Sequence, residues 1–195
     1  MSERSSTPSR ARPSPARGTL PDDCRRETLL VAFFDLSRIG EWSSSEDDAH
    51  VAGFFQAFYE LAAEHVAPAG GRIVKFMGDA GLAVFPELSA EAGIVALCDF
   101  AAAARALGGQ FGLDTYLNVN VHVGPVLAGR FGPKGDERYD VIGKTVNVAA
   151  RLGRRGVTLS AQAFRCLSPE GRQRFEKIMP PITYRFRPGK AGRER

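Results

Sequence analysis

Apolar and polar positions alternate along the chain in ways that predict a series of strands and helices. Residues 29–36 form an unbroken apolar run with Phe33 and Phe34, which predicts a buried strand ending at Asp35. Ser43, Ser44 and Ser45 precede Glu46, Asp47 and Asp48. This order predicts a helix N-terminus, with serine as cap and carboxylates near the positive end of the dipole. Val51, Phe54, Phe55, Phe58, Leu61 and Ala62 then recur at helical spacing, continuing to His65 or Val66, and Gly70-Gly71 stops the helix. Residues 72–77 and 82–85 read as two strands of a hairpin around Gly78-Asp79. Residues 90–107 predict a second helix ended by Gly108-Gly109. Leu117, Val119, Val121 and Val123 alternate with Asn118, Asn120 and His122, the pattern of a half-buried strand. The glycine-punctuated stretch 124–135 reads as a strand and an exposed loop, 145–152 as a short helix, and 157–159 and 182–186 as late strands. No internal repeat is visible. The pattern as a whole predicts an α+β fold, with helices covering a largely antiparallel sheet.

Composition adds boundaries to this picture. At 195 residues the chain fits one domain with a substantial core and tails. Residues 1–22 are rich in Ser, Pro and Arg and are expected to be a disordered tail, 23–188 the folded domain, and 189–195 a basic C-terminal tail. The N-terminus lacks the apolar stretch of a signal peptide, and no apolar run approaches the roughly 18 residues that span a bilayer. Cys24, Cys98 and Cys166 are widely spaced and form no CxxC pair. This favours a reducing, cytoplasmic setting over a disulfide framework or a zinc site. The net charge of +4 raises nucleic acid as a partner, but the excess sits in the tails: Arg4, Arg10, Arg12 and Arg17 at one end, Arg185, Arg187, Lys190, Arg193 and Arg195 at the other. Binding would need a basic stripe on a folded face, so this reading is set aside.

Two carboxylates carry the first chemical signal. Asp35 closes an apolar strand and Asp79 sits in a hairpin turn. Each alone reads first as a cap, but together on neighbouring elements of one sheet they suit Mg²⁺ or Mn²⁺, which prefer carboxylate and phosphate oxygens. The segment Arg138-Tyr139-Asp140-Val141-Ile142-Gly143-Lys144-Thr145-Val146-Asn147-Val148-Ala149-Ala150-Arg151-Leu152 carries more. It resembles the most specific signature of the class III adenylyl and guanylyl cyclases. Ile73-Val74-Lys75-Phe76-Met77-Gly78-Asp79 with Leu82-Ala83-Val84-Phe85, Phe33-Phe34-Asp35-Leu36, and Val121-His122-Val123-Gly124-Pro125-Val126 resemble further family motifs, in the family's order. The resemblance runs from about residue 29 to 159.

This resemblance implies a reaction and a set of roles. Asp35 and Asp79 match the family's metal-binding pair, with the Leu36 carbonyl a further ligand, for two divalent ions, Mn²⁺ or Mg²⁺. Lys75 and Asp140 match the positions that read the base. Asn147 matches the residue that orients the ribose, and Arg151 the one that stabilises charge on the transferred phosphate. Asn147 and Arg151 are four apart, so a helix would point both into one site. A nucleoside triphosphate is the implied substrate, and a C2 homodimer the implied assembly, with two sites across its interface and a lone monomer inactive.

Departures from the family pattern bear on the base. The family usually continues after the first aspartate with Gly-Phe-Thr or Gly-Phe-Ser. The matching stretch here is Arg38-Ile39-Gly40, followed by Glu41 and Trp42. Arg38 and Trp42 are read either as local repacking or as substrate-contacting groups that narrow the nucleotide pocket. A lysine donor beside an aspartate acceptor suits adenine. Cytosine offers the same edge, and uracil fits if its ring shifts. The short chain, read as a bare catalytic domain, and its Asp35–Trp42 stretch look like the stand-alone pyrimidine cyclases of the Pycsar antiphage system. That likeness gives an expectation of UTP converted to cyclic UMP as an alarm for a downstream effector. The alternative is an adenylate cyclase making cyclic AMP. A degenerate cyclase-like binding module is a further alternative, although it would be expected to lack one of Asp35, Asp79, Asn147 and Arg151. A diguanylate-synthesising cousin would carry a Gly-Gly-Asp-Glu-Phe-like run, which is absent.

Overall fold

The structure is a computed structural model that describes residue 20 and residues 23–153, 156–179 and 181–188. The expected tails lie almost wholly outside the described residues. The central strand β1 (Arg25–Leu36) is apolar on both sides: Leu30, Ala32, Phe34 and Leu36 face one core, Leu29, Val31 and Phe33 another. It begins before the apolar run does, because residues 25–28 pair with Ala128, Leu127, Val126 and Pro125 of a later strand. Backbone pairing continues where hydrophobicity has stopped.

The serines that were expected to cap a long helix instead end a short one, α1 (Ile39–Ser45). The Ser44 and Ser45 hydroxyls bond back to the Gly40 and Trp42 carbonyls. The cap of α2 (Asp48–Val66) is Asp47, whose carboxylate accepts from the Ala49 N–H at 2.8 Å. The hairpin of β2 (Arg72–Met77) and β3 (Ala80–Pro86) turns at Gly78, which adopts φ 68°. The helix α3 (Ala90–Gln110) runs through Gly108-Gly109 and does not end there. A Cβ on Gly108 would come within 2.6 Å of Thr115, so that glycine serves close packing. By length and mean hydropathy the segment Glu87–Gln110 also passes as apolar enough to cross a membrane, although Glu91, Asp99 and Arg105 interrupt it. Its Gly93, Ile94, Leu97 and Phe100 are buried in the core it forms with α2 and the sheet.

Where two segments were expected, β4 (Leu117–Phe131) is one 15-residue strand passing through Gly124. It is followed by β5 (Arg138–Ile142), α4 (Lys144–Ala149), β6 (Val157–Ser160), α5 (Ala161–Arg165), α6 (Pro169–Arg172), β7 (Phe175–Ile178) and β8 (Thr183–Phe186). The elements β5, α5, α6 and β7 escape a sequence reading because four or five residues cannot establish a period. The sheet runs β2-β3-β1-β4-β6-β8-β7, with β5 on the far half of β4. All pairings are antiparallel except β4 with β6. The helices α2, α3 and α5 share the larger core on one face. On the other face, Leu29, Val31, Leu82 and Val84 pack under Val126, Ala128, Val141 and Ala149, so β5 and α4 cover only part of it. The rest of that face is left open as a cleft.

Candidate active site

Asp35 and Asp79 lie on adjoining elements at one end of the sheet. Asp35 pairs with Ala80 across β1 and β3, and the Leu36 N–H donates to the Asp79 carbonyl at 3.1 Å. The hairpin is braced from the helical side: Tyr59 of α2 donates its hydroxyl to the Gly78 carbonyl at 2.9 Å and stacks on Phe76. The same end of β1 is pinned just beyond Leu36, since Ser37 N–H donates to the Tyr116 carbonyl and Thr115 Oγ1 to the Ser37 carbonyl. Alternation along β1 puts Asp35 on the open face with Phe33. Among the described residues no cluster of three or more His, Cys, Asp or Glu side chains exists. Two hard carboxylates, with phosphate, carbonyl and water left to complete the shell, fit Mg²⁺ or Mn²⁺ and fit zinc poorly.

Lys75 reaches the same face through an irregularity. The β2–β3 register shifts between Ile73 and Lys75, which sets Lys75 opposite Leu82 of the second core. Without that bulge strict alternation would turn Lys75 toward the helices. Its Nζ donates to Asp140 Oδ2 at 2.6 Å, with the side chains 43% and 28% exposed. Arg72 lies over the Tyr139 ring at 4.1 Å, a second tie between β2 and β5. Burial pushes the Tyr139 phenol above its ordinary value, so it stays neutral beside Asp140.

The structure differs from expectation around Arg151. The helix α4 ends at Ala149, and Arg151 lies in the turn beyond it, its N–H bonded to the Val148 carbonyl at 3.1 Å. Asn147 and Arg151 are both exposed, but no helix spans the two. A cleft of about 440 Å³ opens between α4 and the sheet, lined by Phe33, Asp35, Asn118, Asn120, Ala150 and Gly153 among others.

Arg38 and Trp42 stand apart from that cleft. Arg38 takes φ 64°, the only positive φ at a non-glycine among the described residues, and pairs with Asp114. It occupies the position where the resembled family has glycine, and the backbone there keeps a glycine-like conformation. Trp42 is 9% exposed, packed edge-on against Phe54 and beside His50, so the structure places it in the core and not on a pocket rim.

Asn118 and Asn120 are the residues that sequence reading passed over. Each is 9% exposed, not solvated as the alternating pattern implied, because the chain after α4 lies over them. Their signal was an i, i+2 amide pair on the strand beside Asp35. His122, next on that face, contacts Ser160 Oγ at 2.9 Å, and burial holds its imidazole below the ordinary value of 6.5.

Helices over one face of a mostly antiparallel sheet, with Asp35 and Asp79 on adjoining elements at one end of it and a Lys–Asp pair between β2 and β5, are the features of a class III nucleotidyl cyclase domain. The chain belongs to the adenylate and guanylate cyclase catalytic domain family, whose profile matches residues 24–179. An uncharacterized protein of Mycobacterium tuberculosis, Rv1318c, is 33% identical over 161 residues, covering 75% of this chain and 28% of that protein. A second one, Rv1319c, is 33% identical over 127 residues, covering 63% of this chain and 23% of that protein. The chain thus spans about a quarter of the length of these curated relatives. Among solved structures, a bacterial light-regulated adenylyl cyclase superposes with TM-score 0.74 at 18% identity, covering 84% of this chain and 52% of that one. The guanylyl cyclase Cya2 superposes with TM-score 0.72 at 17% identity, covering 87% and 98%. At these identities the likeness is one of fold. Members of this class use divalent metal ions.

Proposed function

We propose that the chain converts ATP to 3′,5′-cyclic AMP and diphosphate. It would act as a homodimer in which one subunit supplies Asp35 and Asp79 and the other supplies Lys75, Asp140, Asn147 and Arg151. The observation that carries the base reading is the Lys75–Asp140 pair, a donor and an acceptor 2.6 Å apart on the open face. Adenine offers the complement, an N1 acceptor beside an amino donor. The pyrimidine reading came from a likeness of the short chain and its Asp35–Trp42 stretch to stand-alone pyrimidine cyclases, with a pocket narrowed by Arg38 and Trp42 as its physical argument, but Trp42 is in the core and Arg38 is paired with Asp114. That support is gone, and the paired edge remains.

In the reaction the ribose 3′-oxygen bonds to the α-phosphorus while the bond from that phosphorus to the bridging oxygen breaks. The hydroxyl proton passes to solvent and diphosphate leaves. Asp35 and Asp79, with the Leu36 carbonyl, would hold the divalent ions, which when bound would supply a lowered hydroxyl pKa and neutralisation of the phosphate oxygens. Asn147 orients the ribose, and the Arg151 guanidinium offers a fixed fork to the charge developing on the phosphoryl group, an effect worth about 3 kcal/mol for one well-placed donor. The product is a diffusible signal, so a cyclic-nucleotide receptor is the class of downstream partner implied.

Incubating the purified chain with each of the four ribonucleoside triphosphates and Mn²⁺, then identifying products by mass, tests this reading. The expected outcome is cyclic AMP, with kcat/KM for ATP at least tenfold above that for UTP. The reverse ranking restores the pyrimidine reading with its cyclic UMP alarm. No cyclic product from any nucleotide leaves a cyclase-like binding module.

A further inference from the structure

The chain just beyond Arg151 is held by two asparagines of β4. Asn120 Nδ2 donates to the Gly153 carbonyl at 2.8 Å, and Asn118 Oδ1 accepts from the Gly156 N–H at 3.2 Å. Between them the Val119 N–H donates to the Gly156 carbonyl at 3.1 Å. Gly153 is two residues after Arg151. Arg151 lies in the turn beyond α4, tied to the helix by its backbone N–H on the Val148 carbonyl, and among the described residues no hydrogen bond or ion pair holds its guanidinium.

Stability does not explain the choice of asparagine. Among the described residues Asn120 Oδ1 is buried with no hydrogen-bond partner, which costs on the order of 1–3 kcal/mol. The neighbouring positions Leu117, Val119 and Val121 show that this strand accepts apolar residues. What the amide at position 120 supplies, and no apolar side chain would, is the bond to Gly153.

We propose that Asn118 and Asn120 are positioning residues for Arg151: their amides anchor the segment after α4 to β4, so that the guanidinium meets the phosphoryl group with little search. This rests on the proposed role of Arg151 and on sites shared between subunits. Misplacing a catalytic group by about 1 Å can cost on the order of a hundredfold. Because Asn118 and Asn120 also line the cleft that holds Asp35 of their own chain, a direct effect on the nucleotide there is the competing account.

Mixed dimers separate the two accounts. An Asp79→Ala chain mixed with an Arg151→Ala chain retains one complete site, with carboxylates from the second and Arg151 from the first. Asn120→Leu, close in size and unable to donate, is placed on either chain in turn. The expected result is a kcat loss of at least tenfold, with KM within about twofold, that follows the chain supplying Arg151. A loss that follows the chain supplying the carboxylates, equal losses in both placements, or no loss in either overturns the proposal. Asn118→Leu is the second variant if Asn120→Leu does not melt cooperatively near wild type. Should the reference mixture be inactive beside an active wild type, the shared-site reading falls by itself. The Asn120→Leu homodimer then decides: a kcat loss at unchanged KM supports positioning, and wild-type kcat overturns it.

Discussion

At the scale of the residue, Trp42 and Arg38 show how a sequence departure changes meaning once packed. Trp42 touches Phe54 and His50 inside the core, and its Nε1 is buried with no hydrogen-bond partner among the described residues. Trp42→Ala should therefore cost about 3–5 kcal/mol, as large-to-small changes at buried aromatics do, read as a lowered urea midpoint. The ratio of kcat/KM for ATP to that for UTP should stay within about twofold of wild type. A large shift toward ATP at unchanged stability would return Trp42 to the pocket. Asp35, Asp79, Lys75 and Asp140 were legible in the sequence because each belongs to a short motif around a strand end, a turn or a strand. Trp42 was not, because a seven-residue helix has too few turns to show which side faces inward. Asn118 and Asn120 were not, because alternation assigns polar positions to solvent and says nothing about what later folds over them.

At the scale of the element, β4 does most of the organising. It pairs with β1 from Leu117 to Ala128, with β6 over its first half and with β5 over its last residues, and both Asn118 and His122 sit on its open face. His122 joins it to the next layer through Ser160, the residue whose hydroxyl caps α5 by accepting from the Ala163 N–H. Burial depresses the imidazole pKa in the folded chain. On acidification the unfolded state therefore takes up its proton first, near 6.5, and the folded state only at lower pH. Stability is full above that value and declines as pH falls through it toward the folded pKa. Melting curves at pH 7.5 and 5.5 should show a larger drop for wild type than for His122→Gln. Equal drops would mean that His122 contributes nothing to the acid response. The helix α2 was readable in advance because its period repeats several times over 19 residues, and β2 and β3 because they flank the Gly78-Asp79 turn signal. The single run of β4 was not, because Gly124 and Pro125 imitate a break that the paired backbone does not make.

At the scale of the whole molecule, the proposed homodimer is what a mixing experiment tests. Met77, Tyr116, Ile142 and Val148 are 40–48% exposed. Asp79→Ala and Arg151→Ala proteins, each inactive alone, should regain about a quarter of wild-type activity when mixed equally, since half the dimers form between them and each holds one complete site. Persistent inactivity after demonstrated subunit exchange would place every site within one chain. The α+β class and the antiparallel sheet were legible from the order of elements. The bend that carries β5 across the sheet to Lys75 was not, because it depends on contacts between segments 65 residues apart.

A nucleobase arriving between Lys75 and Asp140 meets two charges already satisfied by each other. Under the role proposed for them, binding is exchange and not simple addition. A base matching both groups breaks one bond and forms two. A base matching only one breaks the same bond, strands the other charge, and is expelled when the bridge closes again. The resting ion pair is thus a threshold, and it gives the enzyme a means of refusing near-misses without a steric wall.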